Sequence, residues 1–375
     1  MKLNFALLAC ASAALALTSC KKAAQTVPPA APPPAPAPAS TPATVASAQP
    51  TPLSGPATTA DGRPAKVLPR AEIAPLLNDI PKDAGETTFI VDGDRRFDGG
   101  VLIADRLEFR SGAVLTFGPQ ALQSRRDLLI VAREVVSDDP RRPGKITYAS
   151  PRAGPAEAGS GQTRTAPAPP REGQAGSAGH NGEAGLAGAT GVNAPNLTLI
   201  VRSVAGGGPA IAFMGAPGQA GGQGRQGGDG GAGGRGRSAS GDTFKCDRRA
   251  GDGAPGGAGG AGGGGGQGGD GGGGGAVTLL GLGDRVPGLL QGLHVDTAGG
   301  EPGQGGLAGK GGPGGLGGQG GQGARPFCAK SGRPGLAGVA GQPGAGGSAG
   351  QHGVDGDLRV GAISEADFNR IHGGK

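Results

Sequence analysis

The sequence predicts an all-β protein. A body of short strands, a β-solenoid or a sandwich, sends out long excursions that return as a packed bundle of polyproline II segments. Three observations carry this. Short runs of Val, Ile, Leu and Phe recur between turn signals over residues 87–150. From residue 173 onward, glycine holds every third position through five long registers. Glycine supplies 85 of 375 residues and proline 33, while aromatics are 3% with no Trp. Gly and Pro together usually make up about 12%. Such a chain cannot fill one large core or line a deep aromatic pocket, which argues against a typical enzyme.

Residues 1–19 read as an export signal: Lys2 gives the positive end and Phe5 to Leu17 the apolar stretch, too short to span a bilayer. It closes on Leu17-Thr18-Ser19-Cys20. These residues resemble the bacterial lipobox, which implies that Cys20 is lipidated as the first mature residue. Lys21 after the cysteine resembles the enterobacterial pattern of release to the outer membrane. The expected location is therefore the bacterial cell envelope, at the outer membrane by lipid anchor, facing the periplasm or the surface. Residues 20–69 are rich in Pro and Ala (PPAAPPPAPAPASTPATVASAQPTP). Proline leaves helix and sheet ladders short of donors, so this part is expected to be a disordered, extended tether.

Residues 70–150 are the expected β-rich body. TTFIV, GVLIADRLEF, AVLTFG, LLIVAREVV and KITYA are bounded by DGDRRFDGG, RSG, GPQ and SDDPRRPG. Leu107/Phe109 and Leu115/Phe117 alternate with polar neighbours, the period of a half-buried strand. The stretch LIADRLEFRSGAVLTFG resembles a rung of a parallel β-helix.

A loop and the first glycine run, over residues 151–195, come next. Residues 196–364 alternate strands (NLTLIVRSV, PAIAFM, AVTLLG, GLHVDTA, DLRVGAI) with four more runs, and 365–375 is a tail. The runs are 173–191, 215–236, 253–274, 300–321 and 332–356, numbered 1 to 5 here. Polyproline II has three residues per turn, so glycine at that period leaves one face bare for close approach. The last four runs are each roughly 70 Å long if extended. They pair as two out-and-back excursions, joined by SASGDTFKCDRRA and ARPFCAKS.

The Gly-X-Y register resembles bacterial collagen-like proteins, which implies a trimer. It is also similar to the polyglycine II bundles of springtail antifreeze proteins and of a phage tail-tip adhesin, which implies rods of one chain packed side by side. Run 3 is largely Gly-Gly-X, and a second glycine per triplet gives a triple helix nothing in return. It suits a rod with neighbours on several faces. A monomeric bundle is therefore favoured over a trimer, with run 3 central and run 1 peripheral. Gly265→Val is expected to disturb the bundle more than Gly185→Val.

Cys10 falls in the signal and Cys20 at the lipid site, leaving Cys246 and Cys328, one in each joint. Export places them in an oxidising compartment, where a disulfide between them is expected. It would bring together Phe244, Lys245, Arg248 and Arg249 with Arg325, Phe327, Lys330 and Arg333, a basic tip suited to an anionic partner. The bland alternative is a solubilising end cap.

Other constellations carry less. Asp92, Asp94 and Asp98 read as a strand-to-strand turn rather than a calcium loop. His180, His294, His352 and His372 have no zinc or triad spacing. No cofactor, metal or catalytic residue is expected. The net charge of +6 is small for the length, so nucleic acid is not an expected partner. The sequence thus reads as a non-enzymatic structural or adhesive surface lipoprotein, with an anionic glycan or cell-surface partner. The alternatives are a collagen-like trimeric stalk and a carbohydrate-active β-helix enzyme.

Overall fold

The computed structural model describes residues 57–59, 62–78, 80–81, 85–124, 127–151, 154–159 and 170–372, all within one compact unit. The export signal, Cys20 and most of the Pro/Ala-rich stretch lie outside the described residues.

The fold is mostly strands with few helices. Its first elements are β1 (Lys66–Val67), α1 (Arg70–Asn78), β2 (Glu86–Val91), β3 (Asp94–Phe97), β4 (Val101–Phe109) and β5 (Val114–Phe117). Next come α2 (Pro119–Ser124), β6 (Asp127–Ser137), β7 (Lys145–Tyr148), β8 (Asn196–Ala205) and β9 (Ala210–Ala212). The chain continues with β10 (Ser240–Gly241), β11 (Cys246–Arg248), β12 (Val277–Leu282), α3 (Val286–Gly292), β13 (His294–Asp296), β14 (Leu358–Ile363) and α4 (Glu365–Ile371).

A seven-stranded sheet has the order β1-β14-β12-β8-β6-β4-β2, and a five-stranded sheet the order β13-β9-β7-β5-β3. Every pairing in both is parallel. Apart from β1, strands enter each sheet in chain order, alternating between the two. This departs from the expectation of a sandwich, whose sheets are antiparallel. The body also extends past residue 150, because β8, β9, β12, β13 and β14 add to the same two sheets.

The predicted alternation fixes the inward face. Leu107, Phe109, Leu115 and Phe117 are fully buried and meet Ile146, Leu199, Ile211 and Val277 in one core. Burial of each such side chain contributes about 2 kcal/mol. The RSG turn works because Gly112 takes φ +68°, a conformation unfavourable for other residues. The other face of the large sheet is also apolar: Ile103, Val131, Ile200, Leu280 and Ile363 are buried under Ile73 and Leu77 of α1 and Phe368 and Ile371 of α4.

The tether does not run on to residue 69. β1 pairs with β14, Leu68 is buried, and Arg63 donates to the carbonyls of Val295 (3.2 Å) and Gly356 (2.9 Å) and to Thr297 Oγ1. The 365–375 tail carries α4, capped by Ser364 Oγ accepting from Asp367 N. Its Ser-x-x-Asp sequence was a readable helix start. α1 and α3 were also unforeseen. Pro75 argues locally against helix, but burial of Ile73 and Leu77 prevails, while Pro287 sits in the first turn of α3, where its missing N–H costs nothing, and Val286, Leu289 and Leu290 are buried.

The glycine runs depart from the strand ends and bond laterally to one another. Run 3 donates to run 2 (Gly257 N to Gly231 O, 2.8 Å) and to run 5 (Gly265 N to Ala345 O, 2.8 Å). It accepts from run 1 (Gly185 N to Gly264 O, 2.9 Å) and from run 4 (Gly306 N to Gly266 O, 2.8 Å). Each bond recurs every three residues, so run 3 has four neighbouring runs, while among the five runs run 1 bonds to runs 2 and 3. The central place of run 3 and the edge place of run 1 match the sequence reading. Register shows runs 1, 3 and 5 pointing one way and runs 2 and 4 the other.

A Cβ placed on Gly265 would lie 2.0 Å from Gly306 O, and one on Gly263 would lie 1.9 Å from Glu183 O. At Gly264, between them, the nearest atom is Ala345 O at 3.6 Å. Two positions per triplet must therefore be glycine in run 3, which is the physical content of Gly-Gly-X. The expected contrast between Gly265 and Gly185 needs revision. A Cβ at Gly185 meets Gly222 O at 1.9 Å, an equally close approach, and the two sites differ only in how many runs a displaced backbone would disturb.

Candidate functional site

Runs 2 and 4 start beside the sheets and end at the two joints. The base of run 2 is fixed by Tyr148, whose hydroxyl donates to Met214 O at 2.7 Å and whose burial raises its pKa. At the other end Ala239 N donates to Gln322 O, so both joints lie at the same far end of runs 2 and 4. Cys246 and Cys328 form a disulfide there, with Cα atoms 5.2 Å apart.

The first joint is the small hairpin β10–β11. Asp242 shapes it: its Oδ1 accepts from Phe244 N (2.8 Å) and Lys245 N (3.0 Å). That holds Phe244 outward, 86% exposed. The second joint is a tight loop closed by Ala324 and Cys328 bonding each other's backbones, and it leaves Phe327 56% exposed. Lys245, Arg248, Arg249, Arg325, Lys330 and Arg333 are all exposed. The sequence reading passed over the acids beside them. Lys245 Nζ lies 3.4 Å from Asp247 Oδ1, and Asp242 adds a second carboxylate. These offset part of the charge on the first loop, while the Arg325–Lys330 loop has no acid of its own. Arg333 sits at the start of run 5, where its backbone N donates to Asp252 Oδ1 at 2.7 Å.

The other sequence candidates are placed apart. Asp98 accepts from Arg96 at 2.8 Å, and Asp94 begins β3. His372 Nε2 is 3.0 Å from Ala104 O, under α4. His352 Nε2 is 3.5 Å from Glu301 on the neighbouring run, and its pKa is raised by its bond to Gly353 O and by that carboxylate. Among the described residues, no group of three His, Cys, Asp or Glu side chains is placed to hold a metal, and no helix is long and apolar enough to cross a membrane.

Sequence reasoning missed a set of side chains that serve the runs. Asn181 in run 1 and Asn193 just past its end accept from Ala261 N and Gly273 N. Asp252 just before run 3 and Asp270 within it accept from Arg333 N and Gln351 N. These are the third amides of the triplets, which the lateral glycine bonds leave over. The signal was available: both pairs are spaced by a multiple of three. No protein-family model, curated protein or solved structure matches the chain.

Proposed function

We propose that this protein is a structural or adhesive lipoprotein of the bacterial envelope, held to the outer membrane by acyl chains on Cys20. In this reading the body is a parallel β-solenoid, the runs form a polyglycine II bundle, and the bundle presents a cross-linked tip to an anionic glycan or surface. The reading is non-enzymatic, and the membrane is reached through the lipid alone. In-order parallel strands support the solenoid. Lateral bonds every three residues support the bundle.

One observation carries the tip. The disulfide fastens two loops at a shared end of the bundle, and each loop exposes a phenylalanine among basic side chains. Exposed large aromatics with guanidinium groups suit the flat faces and charges of an acidic sugar. A trimeric stalk loses support because the run glycines already find partners within one chain.

The test is a glycan array and a salt titration on the purified mature chain. Binding to sulfated or uronic glycans should weaken as salt rises. It should fall at least about tenfold when Arg248, Arg249 and Arg325 are changed to Glu. Equal binding by that variant, or no anionic glycan retained by the wild type, overturns the reading.

A further inference from the structure

Around run 3, the neighbouring runs occupy one side in the order 1, 2, 4, 5. Between runs 5 and 1 an open groove follows run 3 for much of its length. It widens near the sheets into a recess of about 370 Å³ beside Asn193, Asp270 and His352.

The groove offers donors at a three-residue period. Arg333 N and Gln351 N point to the carboxylates of Asp252, just before run 3, and Asp270 on it. By the same three-fold period Val339 N, Gln342 N, Ala345 N and Ser348 N face the groove, and they have no partner among the described residues. Across from them, Gly264 N and Gln267 N are likewise unpartnered. The carbonyls of these residues are in use. Val339, Gln342, Ala345 and Ser348 accept from run 3, and Gly264 and Gln267 accept from run 1. The floor is small: Ala258 and Gly264, to either side of Ala261, whose N donates to Asn181 Oδ1 at 3.0 Å.

The molecule shows how such a groove is filled. Residues 154–159, Gly-Pro-Ala-Glu-Ala-Gly, lie along the groove between runs 1 and 2. There Leu186 N, an amide of the same leftover kind, donates to Glu157 O at 3.2 Å. Ala156 N and Gly159 N are taken up by Ala220 O and Gln223 O. The run 5–run 1 groove continues the same lateral pattern, but with donors in excess.

We infer that the groove along run 3, between runs 5 and 1, binds an extended proline-rich peptide in the polyproline II conformation. Proline supplies carbonyls and no N–H, so the strand leaves no donor of its own unmet. Its three-residue turn matches the donor period. Its side chains need only small residues where they meet the Ala258–Gly264 floor.

The probe is a fluorescein-labelled twelve-residue repeat of Pro-Pro-Ala, titrated with the mature chain and read by anisotropy. Binding should saturate, and a Gly-Ser peptide of equal length should not bind. Gly264→Leu fills the groove at a position where a Cβ has room, so the melting temperature should hold while the affinity falls at least about tenfold. Ala258→Leu, on a side chain already facing the groove, serves as the second blocking variant. The tip variant should bind the peptide as the wild type does, which separates this inference from the glycan reading. No saturation by the wild type at millimolar peptide overturns it, as does undiminished binding by both blocked variants. Self-association of the wild type that the blocked variants lose and that excess Pro-Pro-Ala peptide does not compete away would give the groove to another surface of a second copy, which also overturns it.

Discussion

Gly264→Ala and Gly265→Ala are adjacent, chemically identical changes with opposite expected outcomes. At Gly265 the added methyl would sit 2.0 Å from Gly306 O, 2.5 Å from Gly306 C and 2.8 Å from Gly347 N. Backbone atoms cannot rotate away, so run 3 and run 4 must part by at least an ångström. That opening stretches Gly265 N to Ala345 O, Gly306 N to Gly266 O and Gly347 N to Gly306 O, all now at 2.8–2.9 Å. At about 1 kcal/mol net for each, with buried groups left unmet, the loss is about 3 kcal/mol. At Gly264 the nearest atom is 3.6 Å away, an ordinary contact. There the methyl mainly restricts the unfolded chain, which raises stability by about 0.5 kcal/mol. Denaturant unfolding followed by circular dichroism measures both. Values for the two variants within about 0.5 kcal/mol of each other would refute close packing of the runs.

Three further outcomes are expected. Non-reducing peptide mapping should recover the 246–328 pair, and Cys246→Ser should destabilise the chain by at most about 4.5 kcal/mol, the chain-entropy value for a separation of 82 residues. The lateral bonds between the runs limit this further, and an unchanged denaturation midpoint would mean that the disulfide constrains nothing. Cys20→Ala should abolish palmitate labelling and free the protein from membranes; labelling that persists removes the lipid anchor. His352 should titrate above its ordinary value of about 6.5, because Gly353 O and Glu301 favour the imidazolium. Its stabilising contribution is complete below about pH 6.5 and is lost as pH rises through the folded-state value. Glu301→Gln should lower that value in an NMR titration, and no movement would exclude the pair.

Much of this architecture was legible because glycine periodicity is a direct statement about steric contact. A rod that must be Gly-Gly-X has close neighbours on two faces, so the central place of run 3 could be read from its residues alone. The alternation at Leu107/Phe109 and Leu115/Phe117 likewise identified the inward face, and one cysteine in each joint marked the disulfide. What the sequence left open depended on partners far along the chain. Parallel pairing of Val277 with Leu197 and Leu358 joins residues 80 and 81 positions apart, and no local pattern specifies that register. α1 forms despite Pro75 because the outer face of the sheet needs covering, which only the assembled sheet can supply. Residues 57–68 look like more of the tether until Arg63 finds the carbonyls of Val295 and Gly356. The groove beside run 3 exists because four runs surround only part of it, and the number of neighbours is decided by packing in three dimensions.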